Sequence, residues 1–258
     1  MSQGIQDLNQ YKFYLHQYRI FEIRKDSTYK ELTIKKQQKL KELLKNKKAI
    51  FVKNKHRFYY MNPISTVSII ETILMAASAF GLSKQNTFPF TILHRSWHTT
   101  LEALEGDFEK YFNLNMIRGR IYNAFQGKDY FGFIELAFLE GNVLAIHFHG
   151  ILWSVLTEAE EAHINSCFEG GEKENHNGFD VSPTKDMIKA FSYLVKPPVS
   201  EYRSSSQIKK HVRLGKKKCK RLAIVMKKHN ITYFDMIVAA GAGKEFKAAV
   251  VRHLKEHV

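Results

Sequence analysis

Two histidines separated by one apolar residue, His147 and His149, are the first feature of the sequence that could do chemistry. They lie in the β-rich run VLAIHFHGILW at residues 143–153. Side chains two positions apart on a strand point to the same face of a sheet, so both imidazoles are presented together while Phe148 points into the core. The spacing predicts two nitrogen ligands for one metal ion, and the alternative is a pair of ordinary exposed histidines.

A carboxylate precedes the histidines in a second β-rich run, YFGFIELAFL, at residues 130–139. Only residues 140–142 separate the two runs, which predicts an antiparallel hairpin. A three-residue turn places Glu135 opposite His147, close enough to join the same metal ion, which would satisfy a carboxylate that is costly to bury unpaired. The alternative is an outward Glu135 on an exposed face, and a shift of one residue in the turn would move it away from His147.

The sequence Tyr193-Leu194-Val195-Lys196 supplies the third chemical feature. A helix is predicted to begin near Ser182 and to end before Pro197, and residues three apart on a helix share a face. A positive charge beside a tyrosine favours its phenolate form, which is a nucleophile for phosphodiester transesterification next to a bound metal ion. The alternative is a buried aromatic ring with an unrelated lysine at the helix end.

The elements that must position these residues indicate an α+β fold with a central antiparallel sheet, flanking helices and helical basic extensions. A further strand is predicted at residues 88–94, helices at residues 65–82 and 99–117, and a loop at residues 168–180. Beyond residue 206 the chain is predicted to be helical, with breaks near Asn230 and at residues 241–243. The predicted division is a basic extension at residues 1–62, a core at 63–200 and a helical basic region at 201–258.

The composition limits the classes of protein. The 258 residues carry 40 Lys and Arg against 25 Asp and Glu, a formal charge of +15, with two cysteines. Two cysteines exclude a disulfide framework and a four-cysteine zinc site, and the charge, concentrated at residues 24–57 and 209–221, favours a nucleic-acid partner. No secretory signal is visible and Glu71 interrupts the longest apolar stretch, so a cytoplasmic protein without membrane contact is expected.

The order of these motifs resembles that of rolling-circle replication initiators of the HUH endonuclease superfamily. The family's Thr-rich first motif is matched at residues 88–93, with Thr91 in place. Its paired histidines are matched by His147 and His149, and the preceding strand contains the Ile-Glu pair often found there, at Ile134 and Glu135. Its third motif, a tyrosine followed three residues later by a lysine, is matched at residues 193–196. The resemblance covers about residues 88–198, and a single tyrosine places the chain with the single-tyrosine members.

This resemblance implies a metal-dependent enzyme, built on an HUH or ferredoxin-like nuclease core, that nicks and rejoins single-stranded DNA at a plasmid or phage origin. Tyr193 would be the nucleophile and Lys196 would stabilise the phenolate or the phosphate. His147, His149 and Glu135 would hold Mg²⁺ or Mn²⁺. The implied partners are origin DNA, a host helicase and polymerase, and a second copy of the chain.

Two alternatives stay open: a relaxase or rolling-circle transposase with the same chemistry, and a non-catalytic nucleic-acid-binding regulator. A histidine-triad nucleotide hydrolase is excluded because Ile151 stands where a third histidine is needed. A phosphate-binding loop at residues 239–246 is excluded because Glu245 occupies the position of the magnesium-binding hydroxyl.

Overall fold

An eight-stranded sheet forms the centre of the protein in a computed structural model that describes residues 63–139, 142–170, 178–195, 200–204, 209–213 and 216–256. The strands are β1 (Phe88–Leu93), β2 (Thr99–Thr100), β3 (Tyr130–Leu139), β4 (Val143–Leu152), β5 (Phe179–Val181), β6 (Ser200–Ser204), β7 (Lys209–Arg213) and β8 (Ile237–Ala240). Six of them follow the order β5-β1-β4-β3-β6-β7, while β2 pairs with β4 and β8 pairs with β3. All pairs are antiparallel except β3 with β6.

Helices cover both faces of this sheet. They are α1 (Pro63–Ala79), α2 (Leu101–Gly106), α3 (Phe108–Tyr111), α4 (Leu114–Ala124), α5 (Glu158–Cys167), α6 (Met187–Tyr193), α7 (Lys216–Lys228) and α8 (Ala242–Glu256). On one face Phe246 of α8 packs on Phe131, with ring centroids 4.8 Å apart. On the other, Phe125 at the end of α4 packs on Phe90 at 4.9 Å. The predicted α+β class, with an antiparallel sheet and flanking helices, is therefore confirmed.

Two glycines allow aromatic side chains of the core to pack directly against the central hairpin. Gly132 and Gly150 lie directly opposite each other on β3 and β4. A Cβ at Gly150 would stand 2.4 Å from the Phe90 ring, and one at Gly132 would stand 2.6 Å from the Phe148 ring. Since neither position leaves room for a side chain, the Phe148 ring packs over Gly132 and is fully buried. Burying that ring is worth about 2–3 kcal/mol and fixes the opposite orientation of the histidines on either side of it.

The hairpin of β3 and β4 has the predicted register, but the helices around it begin and end elsewhere. The predicted helix at residues 99–117 is the short strand β2 followed by three helices. The chain breaks at Asp107 and Asn113 because each side chain accepts a backbone N–H of the next helix, from Lys110 and Met116. Such local caps compete with helix continuation, and a pattern of apolar spacing does not detect them.

The C-terminal region corrects the prediction of helices alone beyond residue 206. Residues 209–213 form β7 and residues 237–240 form β8, which extends the sheet along β3. Both segments are strands because a neighbouring strand pairs with them, a tertiary influence that outweighs local propensity. The expected breaks are present, since Asn230 and Gly241 adopt φ values of 55° and 54°.

Among the described residues, none of the helices combines the length and the apolar character needed to cross a bilayer.

We expect Tyr130→Phe to raise the free energy of unfolding. Tyr130 is fully buried and its hydroxyl finds no hydrogen-bond partner in the part of the chain that the structure describes. Removing an unsatisfied buried hydroxyl should stabilise the protein by about 1 kcal/mol, measured by urea denaturation. Tyr122→Phe is the matched control, because the Tyr122 hydroxyl donates to the Ala239 carbonyl at 3.0 Å and its loss should destabilise by a similar amount. A marked loss of stability in Tyr130→Phe would contradict the expectation.

His94 makes the stability of the fold depend on pH. Its ring is fully buried after β1, where Nδ1 accepts the Glu169 backbone N–H at 3.0 Å and Nε2 faces the Arg120 guanidinium. Burial and the Arg120 charge lower the pKa of His94 below its usual 6.5. The unfolded chain then binds more protons than the folded chain below that pH, so stability is complete above it and falls as the pH falls.

We therefore expect His94→Gln to reduce the slope of unfolding free energy against pH below about pH 6.5, whatever its effect on absolute stability. The measurement is urea denaturation across that range. The same change at His163, an exposed histidine on α5, is the control, because it removes an imidazole without removing a buried one. An equal slope in wild type and His94→Gln would contradict the expectation that His94 makes stability depend on pH.

Candidate metal centre

Three side chains with metal-ligand chemistry converge on one face of the central hairpin. Glu135 on β3 lies directly opposite His147 on β4, as the predicted register requires, and His149 follows two residues later. One potential ligand atom from each of the three lies within 4.8 Å of the others. Two imidazole nitrogens and one carboxylate oxygen at this spacing fit a single divalent cation.

The burial of these groups supports a ligand role over ordinary surface chemistry. The side chains of Glu135 and His149 are each 5 % exposed, and Glu135 Oε2 lies 2.7 Å from His149 Nε2. Taking a carboxylate and an imidazole out of water is costly, so burial of the pair is weak evidence for a stabilising role. His147 is half-buried, which leaves the cluster open on one side. The arrangement could therefore bind a cation and still admit a further ligand.

The tyrosine of the third motif lies against this cluster. Helix α6 contacts β4 and α1, and it places the Tyr193 ring 4.8 Å from the His149 ring, centroid to centroid, at an angle of 77°. The residue is 47 % exposed, so its ring meets the histidine while part of it faces solvent. Burial of the phenol and the negative charge of Glu135 raise the pKa of Tyr193 above its usual value. Without an added positive charge, this phenol is protonated at neutral pH.

Helix α6 is shorter than predicted at both ends. It begins at Met187, where the Asp186 carboxylate accepts the Lys189 backbone N–H at 3.1 Å, and not near Ser182. It ends at Tyr193, although Pro197 was expected to end it. The preceding Thr184 contributes elsewhere, with its hydroxyl donating to the Thr87 carbonyl at 2.6 Å.

Lys196 lies outside the described residues, as does the predicted basic segment at residues 24–57. The expected helical pairing of Lys196 with Tyr193 therefore stays a prediction. Arg221, at the end of the second basic run, pairs with Glu102 and Glu105 of α2, at 3.0 Å from Glu102. That guanidinium is engaged within the protein.

Thr91 makes a contact with His149 that the sequence did not predict. It lies directly opposite His149 on the neighbouring strand β1, and its Oγ1 is 2.9 Å from His149 Nδ1. The alternation of β1 would have placed Thr91 on the face of the histidines, had the pairing of β1 with β4 been known. His149 is thus held at both ring nitrogens, by Thr91 on one side and Glu135 on the other.

Comparisons of the chain with protein-family models, curated proteins and solved structures gave no significant match. The chemistry of the cluster is therefore argued from its residues and their geometry.

Proposed function

We propose that the protein nicks and rejoins single-stranded DNA through a covalent phosphotyrosine, the chemistry of single-tyrosine rolling-circle initiators with an HUH nuclease core. The observation that carries the proposal is the contact between Tyr193 and His149. Tyr193 comes from a late helix and His149 from the central sheet, yet their rings lie 4.8 Å apart beside the Glu135 and His147 side chains. A nucleophile and a set of cation ligands in contact are what phosphodiester transesterification requires.

Tyr193 would carry out the covalent step. Its phenolic oxygen forms a bond to the phosphorus while the bond from phosphorus to the 3′ oxygen breaks. The phenol loses its proton and the leaving 3′ oxygen gains one, so the proton count is unchanged. The 5′ phosphate stays on Tyr193 as an ester, which preserves the energy of the broken bond. Attack by a 3′ hydroxyl on this ester then rejoins the strand without another energy source.

Glu135, His147 and His149 would hold the ion that the reaction requires. Their carboxylate and imidazole donors suit Mn²⁺, and Mg²⁺ with additional water ligands. Such an ion would supply Lewis-acid polarisation of a phosphate oxygen and would offset the negative charge that Glu135 places near the phenol. Lys196, as a positive group following Tyr193, would stabilise the phenolate or the scissile phosphate.

The charge of the chain supports DNA as the substrate. A formal charge of +15 attracts a polyanion, and each phosphate neutralised by a lysine or arginine releases bound counterions. The proposed role is initiation at a plasmid or phage origin, together with a host helicase and polymerase. A single tyrosine gives one cut for each active site, so a second copy of the chain would make the closing cut.

The test is capture of the covalent intermediate. Full-length protein is incubated with single-stranded DNA oligonucleotides and Mn²⁺, and the products are separated on a denaturing gel. The proposal expects a protein–DNA band that resists denaturation, that EDTA prevents, and that carries the label only when the oligonucleotide is labelled on the 3′ side of the cut. Binding without such a band, across several DNA sequences and metal ions, would favour a non-catalytic regulator.

A relaxase or transposase would give the same band, so the DNA substrate separates these alternatives. An initiator should cut single-stranded segments of its own replication origin and support synthesis from the new 3′ end. A relaxase should instead cut a transfer origin, and a transposase the ends of its element. Mapping the cut on plasmid DNA that carries the gene distinguishes the three.

A further inference from the structure

Thr91 is not one of the candidate metal ligands, but it contacts one of them, His149. Its Oγ1 lies 2.9 Å from Nδ1 of His149, while Nε2 of the same ring lies 2.7 Å from Glu135 Oε2. A neutral imidazole carries a proton on only one of its two nitrogens. Which nitrogen carries it decides which one can offer a lone pair to a cation.

The surroundings of His149 suit one tautomer once a cation is bound. Without a cation, the contact of 2.7 Å between Nε2 and the Glu135 carboxylate requires a proton on Nε2. A divalent cation between the two groups would take the place of that proton, so the single proton of the neutral ring would be on Nδ1, where the Thr91 hydroxyl can accept it. The partner on the far nitrogen of a ligating histidine fixes both its tautomer and its ring orientation. Since Thr91 and His149 are directly opposite on β1 and β4, the two backbones hold the hydroxyl in this position.

We propose that Thr91 is a positioning residue for the metal centre: it accepts a hydrogen bond from His149 Nδ1 and keeps Nε2 available to a divalent cation. The inference rests on the proposed function only in that the cluster binds a divalent cation, and not on DNA cleavage. The first motif of the sequence, at residues 88–93, would then help to position a metal ligand, which its residue types alone did not indicate. In this proposal Thr91 supplies no ligand atom to the cation and acts through His149.

The protein offers a matched control on the opposite face of the sheet. Thr99 on β2 lies opposite Leu144, is 9 % exposed, and its hydroxyl has no hydrogen-bond partner within the described ranges. Thr91→Val and Thr99→Val therefore remove the same atom from the same sheet. Only the first removes a partner of a candidate ligand. Thr91→Ser keeps the hydroxyl and serves as the conservative rescue.

The experiment measures the affinity of the full-length protein for Mn²⁺ by electron paramagnetic resonance, without DNA. We expect Thr91→Val to weaken binding about 10–100-fold, the usual effect of removing the partner of a ligating histidine, and Thr91→Ser to stay near wild type. Thr99→Val should bind like wild type. Thr91→Val in a His149→Ala background should cause no further loss, because the hydroxyl acts through that ring.

A spectroscopic readout separates positioning from general support of the fold. In Mg²⁺-loaded protein, ¹⁵N imidazole shifts should show the His149 proton on Nδ1, and Thr91→Val should shift the population toward the other tautomer. Thermal unfolding checks that each variant is folded, and Thr91→Ala replaces Thr91→Val if the valine variant is not.

Three results would overturn the inference: Mn²⁺ affinity unchanged in a folded Thr91→Val or Thr91→Ala variant, an equal loss in Thr99→Val, or no Mn²⁺ binding by the wild type. The first two leave the nickase proposal intact, since covalent capture tests it independently. If the affinities follow the expected pattern and no covalent band forms, the nickase proposal fails while the role of Thr91 stands.

Discussion

Tyr193→Phe is expected to abolish the covalent protein–DNA band while leaving Mn²⁺ binding and DNA binding within about twofold of wild type. The substitution removes one oxygen atom and keeps the ring that packs 4.8 Å from His149. Loss of an enzyme's nucleophile costs up to about a million-fold in rate, far below the detection limit of a gel assay. The measurement is denaturing electrophoresis with labelled single-stranded DNA, followed by mass spectrometry of the linked peptide from wild type.

Tyr111→Phe provides the matched control. Tyr111 is 38 % exposed, close to the 47 % of Tyr193, and its ring lies beside Lys110 on α3. This variant should form the covalent band at the wild-type rate. A band that persists in Tyr193→Phe, or a linked peptide that lacks residue 193, would show that the nucleophile is another group and that the Tyr193 contact with His149 is structural.

The convergence on which this expectation rests was partly predictable. Strand alternation and the short turn at residues 140–142 predicted Glu135 opposite His147, and the structure confirms that pairing. The prediction succeeded because a three-residue turn between two strongly apolar runs leaves little freedom of register. The strands that flank the hairpin could not be predicted in this way, since no local sequence pattern indicates that β1 lies beside β4 or that β8 lies beside β3. Thr91 was therefore recognised as part of a motif without its hydrogen bond to His149.

The position of Tyr193 could not be derived from local pattern at all. Its helix is held by contacts with β4 and α1, and it begins at a cap, Asp186, that looks like any other acidic residue in the sequence. Ser182 has a side chain that can cap a helix, but the helix does not begin there. The following Thr184 instead hydrogen-bonds to the backbone of residue 87. Local rules identify residues that can end a helix, but long-range contacts decide which of them does.

The second large effect concerns the buried pair of Glu135 and His149, whose metal-free stability and metal affinity should respond in opposite directions. Replacing both with leucine removes two polar groups that are each 5 % exposed and bonded to each other at 2.7 Å. Such replacements leave stability unchanged or raise it by about 1–4 kcal/mol, whereas either single replacement strands the partner and costs about 3–5 kcal/mol. The measurement is urea denaturation in EDTA of the wild type, the two single variants and the double variant.

In the double variant, Mn²⁺ affinity should fall although the stability in EDTA does not. The Glu135→Leu/His149→Leu variant should lose Mn²⁺ affinity by more than about 100-fold, since even the loss of a partner outside the ligand set costs 10–100-fold. Glu102→Gln is the control at the surface, where the carboxylate pairs with Arg221 and is 56 % exposed. It should change stability by less than about 1 kcal/mol and leave Mn²⁺ affinity unaltered.

The stability and the Mn²⁺ affinity of the double variant together show whether the pair of Glu135 and His149 serves the fold or the cation. If the double variant is at least as stable as wild type but binds no Mn²⁺, the fold does not need the pair, and the polar groups are kept in the sheet for the cation they bind. If the double variant is destabilised by several kcal/mol in EDTA, the pair supports the fold directly, and its burial ceases to favour a metal centre. Retention of Mn²⁺ affinity in the double variant would place the cation elsewhere and remove the physical basis for Tyr193 as a metal-assisted nucleophile.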